Sequence, residues 1–324
     1  MPITLASAAM NTQEAYNAAI IDEFRKNSVL LDTLIYEPAV NPAGGGATLT
    51  YGYRRQTTQR GADFRAINSE YATASTTTEH KTVSLVPLGG AFDIDRVLAH
   101  IGPAASDEVA TQMAQLTKAT NARFCDAVIN GDTAVDSNGF DGLDKALLGS
   151  STEINKTGEK DWTDLNAGHT ANNVIDDLDE LCAELDGPPT LLLANKRALG
   201  KLRSAARRAN MYVTAPVEGL VWANGNTVEH EKIGNLIIVD PGTKSGSNEE
   251  IIPTINGKTS IYAVRIATDG FCGITTSDGE MIKSWLPDFS TAGAVKTGEV
   301  ELGPIAVALK ATKAAAVMRN IKVG

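Results

Sequence analysis

Apolar side chains recur at helical spacing along one long segment in the first half of the chain. From residue 107 to residue 130 the apolar positions fall three or four residues apart, which predicts an amphipathic helix. Pro103 suits the start of such a helix, and Gly131 is placed to end it. At a rise of about 1.5 Å per residue, the predicted helix is roughly 36 Å long. Its inward stripe consists of Val109, Met113, Leu116, Thr120, Phe124, Ala127 and Val128.

Residues 38–95 follow a different pattern, in which short runs typical of strands flank a long polar stretch. Alternation at 48–53 and an apolar run at 83–86 predict two strands joined by a polar tip. Few large apolar side chains lie between them, and an isolated hairpin is only marginally stable in water. We therefore expect an arm that lies against another surface. Its arginines are Arg54, Arg55, Arg60 and Arg65.

These arginines have two interpretations. Arginine suits forked pairing with the carboxylates of a neighbouring molecule, which predicts contacts between subunits. The alternative is that the four side chains only keep an exposed loop soluble.

Two further segments predict helices of opposite charge. Residues 173–185 form one amphipathic pattern, and a second begins near Asn195 after a short apolar strand at 190–194. Two faces of opposite sign can fix the orientation of one subunit against the next, and the alternative is two solvated faces. The first helix bears Asp176, Asp177, Asp179, Glu180, Glu184 and Asp186, and the second bears Lys196, Arg197, Lys201, Arg203, Arg207 and Arg208.

Composition narrows the class of protein. The 324 residues include 29 lysines and arginines against 39 aspartates and glutamates, a net charge of −10. That balance argues against a basic surface that binds nucleic acid by releasing counterions. The three cysteines are scattered, which favours a reducing compartment over disulfides or zinc. We expect neither a signal peptide nor a membrane span, since the chain shows no basic leader and no run of ~20 apolar residues.

The sequence offers little catalytic chemistry. The four histidines lie far apart, without the spacing of a zinc hydrolase. Asp93 and Asp95 alternate around Ile94, which places both carboxylates on one strand face, where they could bind a cation or act as acid and base. A solvated strand face is the simpler interpretation. We expect no enzyme and no cofactor, and a soluble hydrolase that uses these two aspartates is the alternative.

The order of these parts resembles the major capsid proteins of tailed bacteriophages, which have the Hong Kong 97 fold. The residues that carry the resemblance are RFCDAVINGD at 123–132 and GFDGL at 139–143, which look like the end of that family's spine helix and the turn after it. Support comes from LLLAN at 191–195, GNLIIVD at 234–240 and AVAL at 306–309. The resemblance spans nearly the whole chain.

The resemblance implies an α+β fold with five parts. They are an N-arm at 1–37, an extended hairpin called the E-loop at 38–95, a peripheral domain at 96–165 and 285–324, the spine helix at 107–130 within that domain, and an axial domain at 166–284. The implied function is self-assembly into hexamers and pentamers of an icosahedral head around double-stranded DNA. An encapsulin-like compartment with a protein cargo is the alternative within the same fold.

The resemblance also implies partners and a location. We expect a virion protein that assembles in the host bacterial cytoplasm, with a separate scaffold, a portal and possibly decoration proteins, and DNA held by enclosure only. No long charged helical segment precedes the N-arm, so we expect no fused scaffold. Relatives that crosslink covalently use an E-loop lysine, but residues 54–69 contain none, and Lys81 lies on the returning strand. We therefore expect a non-covalent shell.

Overall fold

The structure, a computed structural model, describes residues 30–40, 47–97, 108–163, 170–209, 212–221, 227–233, 236–276 and 282–324. Its helices are α1 (Leu30–Thr33), α2 (Glu108–Asn130), α3 (Leu143–Leu147), α4 (Thr170–Ala183) and α5 (Lys196–Arg208). Its strands are β1 (Tyr36–Ala39), β2 (Thr50–Gln56), β3 (Thr78–Ser84), β4 (Val86–Asp95), β5 (Glu153–Ile154), β6 (Lys160–Asp161), β7 (Leu191–Leu193), β8 (Tyr212–Val221), β9 (Thr227–Ile233), β10 (Leu236–Val239), β11 (Lys258–Val264), β12 (Phe271–Thr276), β13 (Ile282–Trp285), β14 (Val295–Leu309) and β15 (Ala315–Lys322).

A five-stranded sheet is built around the long strand β14. One edge of β14 pairs antiparallel with β4, and the other edge pairs with β13 and then β12, to which β1 adds in parallel. Two glycines of β4 let atoms of neighbouring elements approach this strand closely. A Cβ atom on Gly89 would lie 2.2 Å from the Val300 carbonyl oxygen, and one on Gly90 would lie 2.7 Å from Leu116 Cδ1 of α2. The long helix therefore lies directly against β4.

The second sheet has eight strands and lies between two apolar clusters. Its order is β5-β15-β11-β7-β10-β9-β8, and β6 also pairs with β15. Because successive strand residues point to opposite faces, Leu192 and Ala263 face a cluster formed with α4 and α5. Leu191 and Tyr262 face the cluster that contains the end of α2 and the five-stranded sheet.

A cluster of ion pairs around Arg319 joins four elements around this second sheet. Arg319 of β15 pairs with Asp144 of α3 at 2.7 Å and with Glu153 of β5, whose side chain is 1% exposed. Tyr262 of β11 donates a hydrogen bond to Asp144 at 2.8 Å. Burial alone would raise the pKa of Glu153, but the Gly149 amide and the Arg319 guanidinium outweigh it and lower that pKa.

The sheets divide the chain differently from the segments predicted by resemblance. β12 and β13, at the end of the predicted axial segment, pair with β14 of the predicted peripheral segment. β15, which belongs to the predicted peripheral segment, pairs with β11 in the eight-stranded sheet. Three strand pairings therefore cross the predicted boundary at 284/285, and the division of the chain into domains stays a prediction.

Other sequence predictions fall partly inside the described residues. The long helix predicted at 107–130 is α2, and residue 107 lies outside the described residues. The two charged helices are α4 and α5. Residues 1–29 of the predicted N-arm lie outside the described residues. Within the part of the chain that the structure describes, no helix is both long enough and apolar enough to cross a membrane.

Candidate functional site

The hairpin formed by β2 and β3 extends far beyond its paired strands. The pairing runs from Thr50 opposite Ser84 to Gln56 opposite Thr78. Every residue from 56 to 80 is exposed. Of the predicted segment 38–95, residues 50–84 form this hairpin, whereas β4 at its end belongs to the five-stranded sheet. The outer half of the hairpin, residues 56–80, is called the tip segment below.

The base of the hairpin is fastened to its own subunit through one face. Tyr51, Tyr53 and Arg55 alternate along β2 and are half-buried, whereas Arg54 between them is exposed. Tyr53 Oη donates a hydrogen bond to the Leu309 carbonyl oxygen at 3.0 Å. Arg55 donates to the same carbonyl and, through Nε at 2.9 Å, to that of Lys310. Arg55 thus contacts its own subunit, because strand geometry turns it away from Arg54, and its contact with a neighbouring subunit stays a prediction.

A charged cluster completes this attachment. Tyr51 Oη and Lys310 Nζ both donate to Glu37 Oε2, at 2.7 and 2.6 Å. Lys310 Nζ also lies 5.1 Å from the centre of the Tyr51 ring, within reach of a cation–π interaction. Burial alone would raise the pKa of Glu37, but the bonds from Lys310 and Tyr51 outweigh it and lower that pKa. The cluster joins β1, β2 and the residue that follows β14.

The tip segment has internal order and an apolar surface. Arg65 Nη1 donates to the carbonyl oxygens of Ala66 and Ser69 at 3.2 and 3.1 Å, and the guanidinium lies 5.2 Å from the centre of the Tyr71 ring. Phe64 is fully exposed, Ile67 is 91% exposed and Tyr71 is 63% exposed. Sequence reasoning concentrated on the arginines and missed these three side chains. The signal was present, since they are large apolar residues isolated in a polar stretch.

The remaining arginines of the hairpin point to solvent. The side chains of Arg54 and Arg60 are exposed and make no hydrogen bond or ion pair with any residue that the structure describes. Of the four predicted contact residues, Arg55 therefore holds the base, Arg65 orders the tip, and Arg54 and Arg60 are available to a neighbour.

Part of the acidic charge on α4 is used inside the subunit. Asp177 accepts a hydrogen bond from Lys160 Nζ at 2.7 Å and from Trp162 Nε1 at 2.9 Å. Glu180 pairs with the same lysine at 2.9 Å. Because Lys160 donates hydrogen bonds to both carboxylates, the pKa of Lys160 is raised. Asp176 is exposed on the same helix, and Glu184 is half-buried just beyond its end.

The basic charge on α5 lies mostly on its outer side. The apolar side of the helix buries Leu199 and Leu202 against the eight-stranded sheet. Lys201 Nζ donates to the Thr163 carbonyl oxygen at 2.8 Å. Arg203 is half-buried and accepts, through its carbonyl, a hydrogen bond from Arg207 Nε at 3.2 Å. The exposed cations are Lys196, Arg197, Arg207 and Arg208.

Asp93 and Asp95, the two aspartates that suggested a hydrolase, accept hydrogen bonds from a hydroxyl group and a backbone amide. Thr297 Oγ1 donates to Asp93 Oδ1 at 2.7 Å, and the Val97 amide donates to Asp95 Oδ1 at 2.8 Å. Within the described residues, no three histidine, cysteine or acidic side chains are grouped to hold a metal ion. The geometry gives both carboxylates a role in the local structure of β4 and β14.

Comparison with known proteins identifies the fold. The holo-SrpI encapsulin complex from Synechococcus elongatus PCC 7942 aligns with 100% of this chain and 97% of its own, at 16% identity and a TM-score of 0.61. The capsid of the native GTA particle aligns over 98% and 99%, at 13% identity and a TM-score of 0.55. The capsid of Myoviridae phage XM1 aligns over 96% and 97%, at 10% identity and a TM-score of 0.56.

No protein-family model and no curated protein matches the sequence. At these identities the structural likeness establishes the fold alone. The α+β, Hong Kong 97-like capsid fold expected from the resemblance is confirmed.

Replacing Arg55 with alanine should loosen the base of the hairpin. Hydrogen bonds from a charged donor contribute about 1.5–3 kcal/mol, so the protection of β2 and β3 amides from hydrogen exchange should fall by roughly 10- to 100-fold. Arg54→Ala is the matched control, because its side chain is exposed, and protection should be unchanged. Equal effects of both variants, measured on the dilute full-length chain by mass spectrometry, would contradict the assignment.

Acid should weaken the same attachment. Because the folded chain lowers the pKa of Glu37, the resulting stabilisation is present above about pH 4.3, the usual value for a glutamate, and is lost as the pH falls through the lowered native value. Hydrogen exchange of β2, corrected for its intrinsic pH dependence, should accelerate across that window. Glu37→Gln should remove most of this dependence. A wild type and a variant with the same pH profile would show that Glu37 does not hold the base.

Proposed function

We propose that this chain is the structural subunit of an icosahedral phage head, assembled from hexamers and pentamers around double-stranded DNA. The observation that carries the proposal is the tip segment, in which residues 56–80 are all exposed while the hairpin base is fastened to the subunit. An arm held firmly at one end, with its other end exposed beside the described residues of its own subunit, fits a chain that is completed by a neighbour.

Energetics favours the same interpretation. Burying an aliphatic or aromatic side chain contributes about 1.5–3 kcal/mol, and Phe64, Ile67 and Tyr71 are available for burial on each subunit. Because Arg65 already orders the tip, docking it costs less conformational entropy than docking a fully flexible loop. A contact repeated in every subunit of a closed shell accumulates this gain without covalent bonds.

The proposal includes a non-enzymatic role and a set of partners. The main partner is the chain itself, with a separate scaffold, a portal and possibly decoration proteins, and the location is the virion after assembly in the host bacterial cytoplasm. The net charge of −10 supports enclosure of DNA rather than tight binding to it. Lys81, the only lysine of the hairpin strands, pairs with Glu79 at 2.9 Å, which is consistent with a non-covalent shell.

The second candidate is an encapsulin-like compartment. The observation that favours it is the alignment with the holo-SrpI encapsulin complex over 100% of this chain at a TM-score of 0.61. The hairpin and both sheets serve either shell, so the content of the particles distinguishes the two candidates.

Electron microscopy of the purified full-length chain should reveal closed particles. Nucleic acid inside particles formed in the presence of the phage packaging proteins supports the head, whereas particles that retain a protein cargo support the compartment. The particles, heated in detergent, should run as single chains on a gel, and a covalent ladder would contradict the non-covalent shell. A species of monomer mass at every concentration, including under molecular crowding, would contradict the proposed function.

Polar substitution at the apolar tip should block assembly without unfolding the subunit. Phe64→Ser with Ile67→Ser should leave the melting temperature of the dilute chain unchanged, because neither side chain is buried in the subunit, and should abolish or strongly reduce particles. Val135→Ser is the matched control, since Val135 is 86% exposed but lies outside the hairpin, and it should assemble normally. Normal particles from the tip variant would show that these residues do not anchor the arm.

A further inference from the structure

Several charges on α4 and α5 oppose the dipoles of their own helices, although Arg207 and Arg208 in the last turn of α5 suit its dipole. A helix is stabilised by acidic residues in its first turn and basic residues in its last turn, by about 0.3–1 kcal/mol each. α5 instead begins with Lys196 and Arg197 and has no acidic residue in its first turn. α4 carries Asp179 and Glu180 towards its end and has no basic residue in its last turn. Local helix stability therefore does not explain these residues.

Contacts within the subunit explain only part of this charge. On α4, Asp177 and Glu180 pair with Lys160, whereas Asp176 and Asp179 are exposed. On α5, Lys196 and Arg197 are exposed on the side opposite the buried Leu199 and Leu202. One subunit thus presents an acidic face, formed by Asp176 and Asp179, and a basic face, formed by Lys196, Arg197 and Arg208.

The basic face is shaped as an open groove. Lys196, Arg197, Lys201 and Arg208 surround it, with Thr163 and Val323 on its other side. Gly200 lies in the middle of the basic residues, and a Cβ atom built there would meet no atom within 4 Å. The gap leaves room for side chains from another molecule to approach between the cations.

We propose that the basic face of α5 receives the acidic face of α4 from a second copy of this chain. The inference rests on the proposed function and assigns one contact within it. Charge complementarity is the argument for a second copy, because the same chain carries both faces. When the contact is repeated head to tail it is heterologous, and such contacts close into rings when the rotation between subunits permits. The pairing would set the orientation of subunits within a hexamer or pentamer.

Reversing the charge of the basic face tests this contact without destabilising the subunit. Lys196→Glu with Arg197→Glu places acidic residues at the start of α5, which favours the helix, so the melting temperature should not fall. The concentration at which shells form, called the threshold below, should rise about fivefold or more. A fivefold change corresponds to the upper range of the contribution of one exposed ion pair, about 1 kcal/mol. Asp176→Lys with Asp179→Lys should have the same effect, and all four changes together should restore the wild-type threshold.

The control is Arg96→Glu, which alters net charge at an exposed residue that follows β4 of the five-stranded sheet, and its threshold should match that of the wild type. Raising the salt from 50 to 500 mM should increase the threshold of the wild type more than that of the α5 variant, because salt screens the proposed pairs.

Two results would overturn the inference. The first is that the wild type assembles and both reversed variants have the same threshold as the wild type. This result would leave the proposed function intact. The second is normal shells of the α5 variant that have lost their nucleic acid, which would assign the basic face to a polyanion. Failure of the wild type itself to assemble would instead count against the proposed function.

Discussion

The structure depends on a constraint of surface and burial, because the tip segment is left exposed beside the rest of the described chain. Its apolar side chains Phe64 and Ile67 face water. Exposure of such side chains is unfavourable through the hydrophobic effect, and a second chain that covered the tip would remove this cost. The same exposure is what supports the proposed association of subunits.

Such an arm is useful only if its base is held. The carbonyl oxygens of Leu309 and Lys310, at the end of the longest strand, accept hydrogen bonds from Tyr53 and Arg55. That strand is in turn paired along both edges, and its neighbour β4 approaches it closely at Gly89 and approaches α2 at Gly90. The direction of the arm is thus set by the five-stranded sheet, and the Glu37 cluster adds the N-terminal strand to the same attachment.

The two candidate contact regions have complementary physical roles. Apolar burial at the tip would be non-directional and would supply most of the available free energy. The proposed ion pairs between α4 and α5 of neighbouring copies would be individually weak, but they would discriminate between orientations because like charges repel. The ion pairs of Arg319 with Glu153 and Asp144 belong to neither region, since they tie β15 to β5 and α3 within one subunit.

The sequence alone determined the elements whose signal is local. The spacing of apolar residues predicted α2, α4 and α5, the polar run between two short strands predicted the hairpin, and the charged residues showed that α4 and α5 bear opposite charge. Only the tertiary structure decided the sheet membership of β12, β13 and β15, because strand pairing over long sequence separations leaves no periodic trace. It also decided that Arg55 binds its own subunit while Arg54 does not, since the side chains of adjacent strand residues face opposite ways and only packing reveals which face is covered.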